Sequence, residues 1–447
     1  FAAYGWHTVA VDGHDRAALT DAIGQAIAVE DRPSLLLAKT HIAHGAPTKQ
    51  DTAASHGSPL GAEEVAAAKE AMGWPAEEKF YVPEDVYAFF AAAMEDGRRA
   101  RKSWEGRRDR IFGESPDVAA AWETRHRIEK VLLQAPPFET GSSLATRRAS
   151  SVAIQAAARQ VPALIGGSAD LAPSTNTLID GAGDFSASDR GGRNMHFGIR
   201  EHGMGAVVNG MALHGGVRPY GATFLVFSDY MRPSVRLSAL MGLPTIWIWT
   251  HDSVFLGEDG PTHQPIEHLA ALRAIPNLWV VRPGDAGETV EAWELALGRG
   301  DGPTALILTR QGLPILDRPR GEVGRGGYIL RPGADLAVVA TGSEVWVALE
   351  AAEILGTGGI DARVVSMPCV EAFDAQNSSY RDEVLGGLPV VTVEAGITSG
   401  WHRFAGSSGL TIGIDHFGTS APWQRIAEEW GFTPTAIADR ISTWFGA

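Results

Sequence analysis

Short apolar runs that alternate with helical runs limit the fold of this chain more than any other feature. Between residues 145 and 315 the apolar runs are too short to be helices, and most are followed by polar or glycine-containing segments. The predicted strands are 163–166, 244–250, 278–282 and 304–309, and the predicted helices are 150–159, a helix opening at Glu201, 267–274 and 286–297. Strands alternating with helices predict an α/β fold with a mostly parallel sheet.

Similar alternation occurs on both sides of this region. Residues 1–46 read as strand, helix and strand, and one βαβ unit cannot cover both faces of a sheet, so we expect residues 1–82 to be the end of a larger domain. Within it, residues 47–70 are predicted to be irregular. Residues 83–144 are predicted to be a helical connector, broken near residues 113–116, and a linker. A third α/β unit is expected over residues 326–447, with a helix capped by Ser343.

Composition excludes several classes of function. The formal net charge of -15 argues against nucleic acid as the main partner. No apolar run approaches the roughly 20 residues that a membrane span needs. The one cysteine, Cys369, excludes an internal disulfide framework and fits a reducing compartment, so we expect a cytoplasmic protein. An anionic substrate would require a local basic pocket within this acidic chain.

Residues 191–265 carry a density of ionisable groups that predicts an active site. Glu201 opens a helical run, and the loop after the apolar run 244–250 holds His251, Asp259 and His263. The aromatic residues Phe224, Phe227 and Tyr230 are spaced by three, which predicts one helical face on which a flat ring could stack. Two simpler interpretations stay open at this point: Glu201 as an acid in a first helical turn, and the aromatic residues as ordinary core.

Six motifs, in this order along the chain, resemble the transketolase family of thiamine diphosphate enzymes. They read GGSADLAPS, IREHGM, TFLVFSDYMR, THDSVFLGEDGPTHQP, ALILTRQ and VATGSEV. The THDS…GEDGPTHQP run is the most specific of them. The resemblance implies a pyrimidine-binding domain at residues 145–315, a C-terminal domain at 326–447, and a remnant of the diphosphate-binding domain at 1–82.

The resemblance also implies an activity and its residues. A two-carbon ketol unit would pass from a ketose phosphate to an aldose phosphate through a nucleophilic ylide of the cofactor. Glu201 would hydrogen-bond the cofactor's pyrimidine ring. The implied catalytic residues are Glu201, His263 and His56, and the implied cofactor-binding residues are Glu201, Phe224, Phe227, Tyr230 and Asp170.

The sugar phosphate would be bound by cations, hydroxyl groups and imidazoles brought together from distant parts of the chain. The residues implied are Arg147, Ser174, His251, Asp259, His263 and Arg310. Arg148 competes with Arg147 for its role. For any single arginine, a solvated surface position is the simpler alternative.

The chain departs from the family at the metal site. Family members hold Mg²⁺ or Ca²⁺ through a Gly-Asp-Gly motif followed by an asparagine. Here residues 300–302 read Gly-Asp-Gly, but no asparagine follows before Asn377, so we predict a turn there. The metal ligands are therefore expected in a missing N-terminal part or on a separate subunit, and none is assigned within this chain. His41 and His44 lack a third ligand at suitable spacing and are predicted to be loop residues.

Three alternatives to transketolase stay open. Dihydroxyacetone synthase shares much of the GEDGPTHQP signature, and deoxyxylulose-phosphate synthase is a more distant possibility. A non-catalytic subunit or fragment would need a partner for its metal and diphosphate. Whether the chain is an enzyme or a non-catalytic subunit, the resemblance implies a homodimer with the active site between the chains.

Overall fold

The computed structural model describes residues 1–125 and 128–446, and the chain divides into two compact units. The first unit comprises Phe1–Arg110 and the second begins at Ile111. Among the helices of these described residues, none combines the length and apolarity needed to cross a bilayer. The predicted α/β class with mostly parallel sheets is confirmed.

The first unit begins with the predicted βαβ unit. The elements of the first unit are β1 (His7–Asp12), α1 (Arg16–Ala28), β2 (Ser34–Lys39), α2 (Ala62–Ala71) and most of α3 (Glu84–Glu114), whose last four residues belong to the second unit. The two strands pair in parallel, from His7 opposite Ser34 to Asp12 opposite Lys39. Asp15 caps α1, because its carboxylate accepts hydrogen bonds from the first free backbone amides of that helix.

The prediction that residues 47–70 are irregular is wrong for the second half of that segment, where α2 lies. The helix is alanine-rich, with Glu63 and Glu64 in its first turn and Lys69 in its last, which matches the helix dipole at both ends. Glu64 also accepts hydrogen bonds from the backbone amides of Thr48 and Lys49, which ties down the preceding loop. The predicted break after the long helical run falls between α3 and α4 (Pro116–Thr124).

The second unit carries the remaining elements. Its strands are β3 (Ser143–Ala145), β4 (Leu164–Ser168), β5 (Asn194–His196), β6 (Arg218–Phe224), β7 (Ile246–Thr250), β8 (Trp279–Val281), β9 (Thr304–Leu308), β10 (Gly312–Pro314), β11 (Tyr328–Arg331), β12 (Leu336–Ala340), β13 (Ala362–Ser366), β14 (Val390–Val393) and β15 (Leu410–Ile412). After α4, its helices are α5 (Thr146–Gln160), α6 (Ala172–Thr175), α7 (Glu201–His214), α8 (Ser228–Leu240), α9 (His268–Arg273), α10 (Ala286–Gly298), α11 (Glu344–Thr357), α12 (Val370–Asp374), α13 (Ser378–Leu385), α14 (His402–Ala405), α15 (Trp423–Glu429) and α16 (Pro434–Phe445).

A six-stranded parallel sheet with the order β5-β4-β6-β7-β9-β8 forms the centre of the second unit. Its strands are apolar on both faces: Ile246 and Ile248 join one core cluster, and Trp247 and Trp249 join another. Helices therefore cover both sides, as a parallel sheet requires. The register aligns the carboxyl ends of neighbouring strands, since Phe224 lies opposite Thr250, and Thr250 lies opposite Leu308.

A second sheet has the order β11-β13-β12-β14-β15, with only β11 antiparallel. Its strand β12 is fully buried, and α11 and α16 pack on one face of the sheet. Ser343 is wrongly predicted to cap α11, because its side chain makes no capping hydrogen bond. Its hydroxyl contacts Glu344 and Arg282 instead, within a buried ionic network described below.

Candidate active site

The predicted site residues of the second unit follow the carboxyl ends of neighbouring parallel strands. Asp170 and Ser174 follow β4, and Glu201 follows β5. Further along the sheet, Phe224 ends β6, His251 follows β7 and Arg310 follows β9. Open α/β sheets bind ligands outside this edge, where loops from several strands meet. Residues far apart in sequence are therefore brought to one side of one sheet.

The aromatic residues form a continuous stack, although not on one helix as predicted. Phe224 ends β6, Phe227 lies in a 3-10 turn, and Tyr230 lies in the first turn of α8. Ring centroids are 5.7 Å apart for Phe224 and Phe227 and 5.9 Å apart for Phe227 and Tyr230, with interplanar angles of 11° and 22°. Exposure increases along the stack, and Tyr230 is 66% exposed. A sharp strand-to-helix turn thus presents aromatic faces to a ligand.

Glu201 is the first residue of α7 and is almost fully buried. Its carboxylate has no hydrogen-bond or ion-pair partner within the described residues, whereas buried carboxylates are normally paired. A buried and unpaired carboxylate at a strand edge is well suited to bind a ligand nitrogen.

Two arginines and an imidazole form a positively charged cluster. Arg147, at the start of α5, donates from Nη1 to the carbonyl oxygen of Ser174 at 2.8 Å, and its buried Nε has no partner among the described residues. Burial lowers the pKa of Arg147, and the charges of Arg310 and Arg148 lower it further, while Asp259 opposes them. An unused guanidinium N–H beside another cation is what an incoming phosphate requires.

His251 begins the loop after β7 in a left-handed backbone conformation with φ 62°. It is 3% exposed, its Nδ1 lies 2.8 Å from Thr250 Oγ1, and its ring centroid lies 3.7 Å from that of Phe224. Burial, with the nearby charges of Arg147 and Arg310, lowers its pKa to about 3. The imidazole is therefore neutral at pH 7, so it contributes polar contacts rather than charge to the cluster.

The rest of that loop is held by Gln264, whose amide donates to the carbonyl oxygens of Val254, Gly257 and Thr419. Other side chains of the loop contact both the aromatic stack and the positively charged cluster. His263 meets Phe227 edge to face, with centroids 5.5 Å apart, and Glu258 lies 3.7 Å from Arg310. The loop thus joins the aromatic stack to the positively charged cluster.

Two predicted residues are less well connected. Asp170 is exposed and has φ 61°, and no contact joins it to the aromatic stack. His56 belongs to the first unit, where it follows a 3-10 turn over Ala53–Ser55 and is exposed. The roles given to Asp170 and His56 stay predictions.

Sequence reasoning missed a buried ionic network next to the site. Arg282 is fully buried, and donates from Nε and Nη2 to Asp252 and from Nη1 to Glu344. Asp252 directly follows His251, while Glu344 begins α11. The network therefore ties the active-site loop to the C-terminal sheet. Asp252 was visible within the THDS motif, but burial of its partner Arg282 has no sequence signature.

The Gly-Asp-Gly sequence at 300–302 lies just before β9, at the opposite edge of the sheet from the site residues. Asp301 pairs with Arg299 at 3.1 Å. In the first unit, the imidazoles of His14 and His44 stack with centroids 3.9 Å apart, and His41 lies 2.8 Å from Asp51. Across residues 1–125 and 128–446, these histidines do not form a group with ligand atoms close enough to share one ion.

Three family models match consecutive parts of the chain. The thiamine diphosphate binding domain of transketolase matches residues 1–130, the transketolase pyrimidine binding domain matches 142–315, and the transketolase-like C-terminal domain matches 326–433. The chain is 47% identical over 453 residues to a transketolase of Halalkalibacterium halodurans, covering 98% of this chain and 68% of that protein. It is also 47% identical over 465 residues to a transketolase of Geobacillus stearothermophilus, covering 100% of this chain and 69% of that protein.

Solved structures give the same result. A transketolase of Pichia stipitis in complex with sedoheptulose 7-phosphate superposes with a TM-score of 0.92 at 38% identity, covering 100% of this chain and 68% of that one. A split-gene transketolase, described as an inactive β4 tetramer, superposes with a TM-score of 0.57 at 29% identity. That match covers 68% of this chain and 99% of the other.

Proposed function

The chain belongs to the transketolase family, and we propose that its strand-edge site transfers a two-carbon ketol unit from a ketose phosphate to an aldose phosphate with thiamine diphosphate as cofactor. The observation that best supports this proposal is the aromatic stack beside the positively charged cluster, with the unpaired Glu201 at the same sheet edge. These groups fit the two ends of the chemistry: a flat heteroaromatic ring and a phosphate.

Thiamine diphosphate, when bound, supplies the nucleophilic carbon that adds to the sugar carbonyl. Phe227, whose ring stacks with those of Phe224 and Tyr230, would stack on the pyrimidine ring. Glu201 would hold a proton against a pyrimidine nitrogen, because its carboxylate has no partner among the residues that the structure describes. Asp170 would lie near the same cofactor.

The sugar would lie across the loop that follows β7. Arg147 and Arg310 would bind its phosphate, with Ser174 and the neutral His251 as hydrogen-bond partners. His263 would stabilise the developing oxygen anion and move its proton, because it touches the cofactor's stacking residue Phe227. Asp259 would accept a hydrogen bond from a substrate hydroxyl, and His56 would add a further imidazole.

We also propose a homodimer and a divalent cation, Mg²⁺ or Ca²⁺, for the diphosphate. Helices α7 and α8, with the residue that follows α8, expose apolar side chains that a monomer would leave in water: Val207, Leu213, Leu237, Leu240 and Met241. A two-fold dimer would cover such a surface by pairing it with itself.

The single, buried Cys369 is consistent with a cytoplasmic enzyme.

One observation favours a second candidate, a subunit that acts only with a partner chain. The split-gene structure described as inactive is matched over 99% of its length by this chain. The two candidates differ in whether this polypeptide alone carries out transfer.

A transfer assay tests both candidates. Purified chain would be supplied with xylulose 5-phosphate, ribose 5-phosphate, thiamine diphosphate and Mg²⁺, and sedoheptulose 7-phosphate would be measured. We expect Glu201→Gln to lower kcat by about 100-fold or more, because it removes the acid that exchanges a proton with the cofactor. Product with only this chain would contradict the subunit candidate. Product from formaldehyde as acceptor, and none from ribose 5-phosphate, would indicate a dihydroxyacetone synthase instead.

A further inference from the structure

Two side-chain contacts join the turn that carries the aromatic stack to the end of the loop that carries His263. Asp229, between the stacking residues Phe227 and Tyr230, places Oδ2 3.1 Å from His268 Nε2. One turn further along α8, Arg232 donates to the carbonyl oxygen of Ala271 at 2.6 Å. The two contacts hold the first turns of α8 and α9 together.

His268 is the fixed partner of this pair. Its side chain is 6% exposed, whereas that of Asp229 is 54% exposed. Because the Asp229 carboxylate accepts this hydrogen bond, Nε2 of His268 must carry the hydrogen that it donates. The other ring nitrogen, Nδ1, is buried and has no hydrogen-bond partner in the described structure. Packing therefore fixes the imidazole, and the imidazole in turn fixes an otherwise solvent-exposed aspartate.

We propose that His268 is a positioning residue for the cofactor: by holding Asp229, it keeps Phe227 and Tyr230 aligned with each other and with His263. The proposal rests on the proposed function, in which this stack receives the pyrimidine ring. The stack itself has few other restraints, since Tyr230 is largely exposed and the Phe227–Tyr230 contact is one face-to-face pair. Loss of the hydrogen bond would let the first turn of α8 move.

A metal ion is the competing explanation, because Asp229, Glu267 and His268 offer ligand atoms within 4.8 Å of one another. The contacts argue against it. Nε2 of His268 lies 3.1 Å from Asp229 Oδ2, whereas the nearest Glu267 oxygen lies 3.8 Å from Nδ1, so Asp229 is within hydrogen-bond reach of the ring and Glu267 is not. A hydrogen bond accounts for the arrangement as it stands.

The test compares His268→Leu, which removes the donor, with His268→Gln, whose amide N–H can still reach Asp229. We expect His268→Leu to raise the KM for thiamine diphosphate about tenfold, equivalent to about 1.4 kcal/mol. Its kcat at saturating cofactor should stay within about twofold, because no reacting group is removed. His268→Gln should restore the KM, and near-ultraviolet circular dichroism of the bound cofactor should change only in His268→Leu. Asp374→Leu, which breaks an exposed ion pair with Arg403, is the control and should match wild type.

Hydrogen exchange in the cofactor-free chain separates this proposal from the proposed function. His268→Leu should speed amide exchange over residues 229–232 about tenfold, and His268→Gln should not. Wild type without cofactor binding or transfer would refute the proposed function, and the exchange result would then decide whether the contact orders the turn. If His268→Leu and His268→Gln show the same amide exchange over residues 229–232 and the same KM for thiamine diphosphate, the positioning role is overturned. Zn²⁺ binding by wild type that both variants lose would overturn it in favour of a metal site.

Discussion

His251 should make this protein lose stability below neutral pH. Its native pKa is about 3, against 6.5 for an ordinary histidine, chiefly because the ring is buried and secondarily because Arg147 and Arg310 are close. Between these values the unfolded chain binds a proton that the native chain does not, so stability falls as the pH falls and the loss is complete below about pH 3. Each pH unit is worth about 1.36 kcal/mol, so at pH 5 the loss is about 2 kcal/mol.

Asparagine at this position provides the comparison. Asparagine tolerates the left-handed backbone that His251 adopts and does not titrate. Urea unfolding, followed by tryptophan fluorescence at pH 8, 6.5 and 5, should show wild type losing about 2 kcal/mol more than His251→Asn between pH 8 and pH 5. His402→Asn, at an exposed histidine, should track wild type. If wild type and His251→Asn show parallel pH dependence, the buried neutral imidazole does not exist in solution.

Two further substitutions probe the cluster and the network beside it. Arg147→Met should raise the KM for a ketose phosphate by about 10- to 100-fold, which is the contribution of a charge-assisted hydrogen bond. Turnover of an unphosphorylated ketose should stay unchanged. Equal losses with both substrates in steady-state assays would contradict a phosphate contact. Arg282→Met should cost about 3–5 kcal/mol in free energy of unfolding, because Asp252 and Glu344 would be left buried without their cation, and chemical denaturation showing a loss below about 1 kcal/mol would refute that account.

The parallel sheet and its edge could be predicted because they depend on local pattern. Short apolar runs such as Ile246–Thr250 have no other stable placement than a strand covered on both faces. Polar groups directly after such strands must then gather at one edge, and the structure places Arg310 near His251 as this reasoning predicts. The first turn of α8 was harder, because a spacing of three residues fits a helix as well as the observed strand-to-helix turn.

Other features could not be predicted, because they depend on burial and on distant partners. Arg282 and Glu344 look like surface charges in sequence, yet both are buried and paired. His268 has no motif spacing that relates it to Asp229, 39 residues earlier. Helix α2 was missed for a different reason: its alanine-rich segment has almost no apolar periodicity, so only its intrinsic propensity and its end charges support it.

The buried network explains how the C-terminal sheet contributes to a site that it does not enter. His251 needs an unusual backbone angle, and Asp252, the next residue, is held by Arg282 from the end of β8. Arg282 is shared with Glu344, whose carboxylate also accepts the backbone N–H of Ala395 after β14. Because the three charges are buried together, moving one forces the others to move or to stay unpaired. A substitution at Glu344, in the C-terminal domain, would therefore alter the active-site loop through the side chains of Arg282 and Asp252, although Glu344 contacts neither substrate nor cofactor.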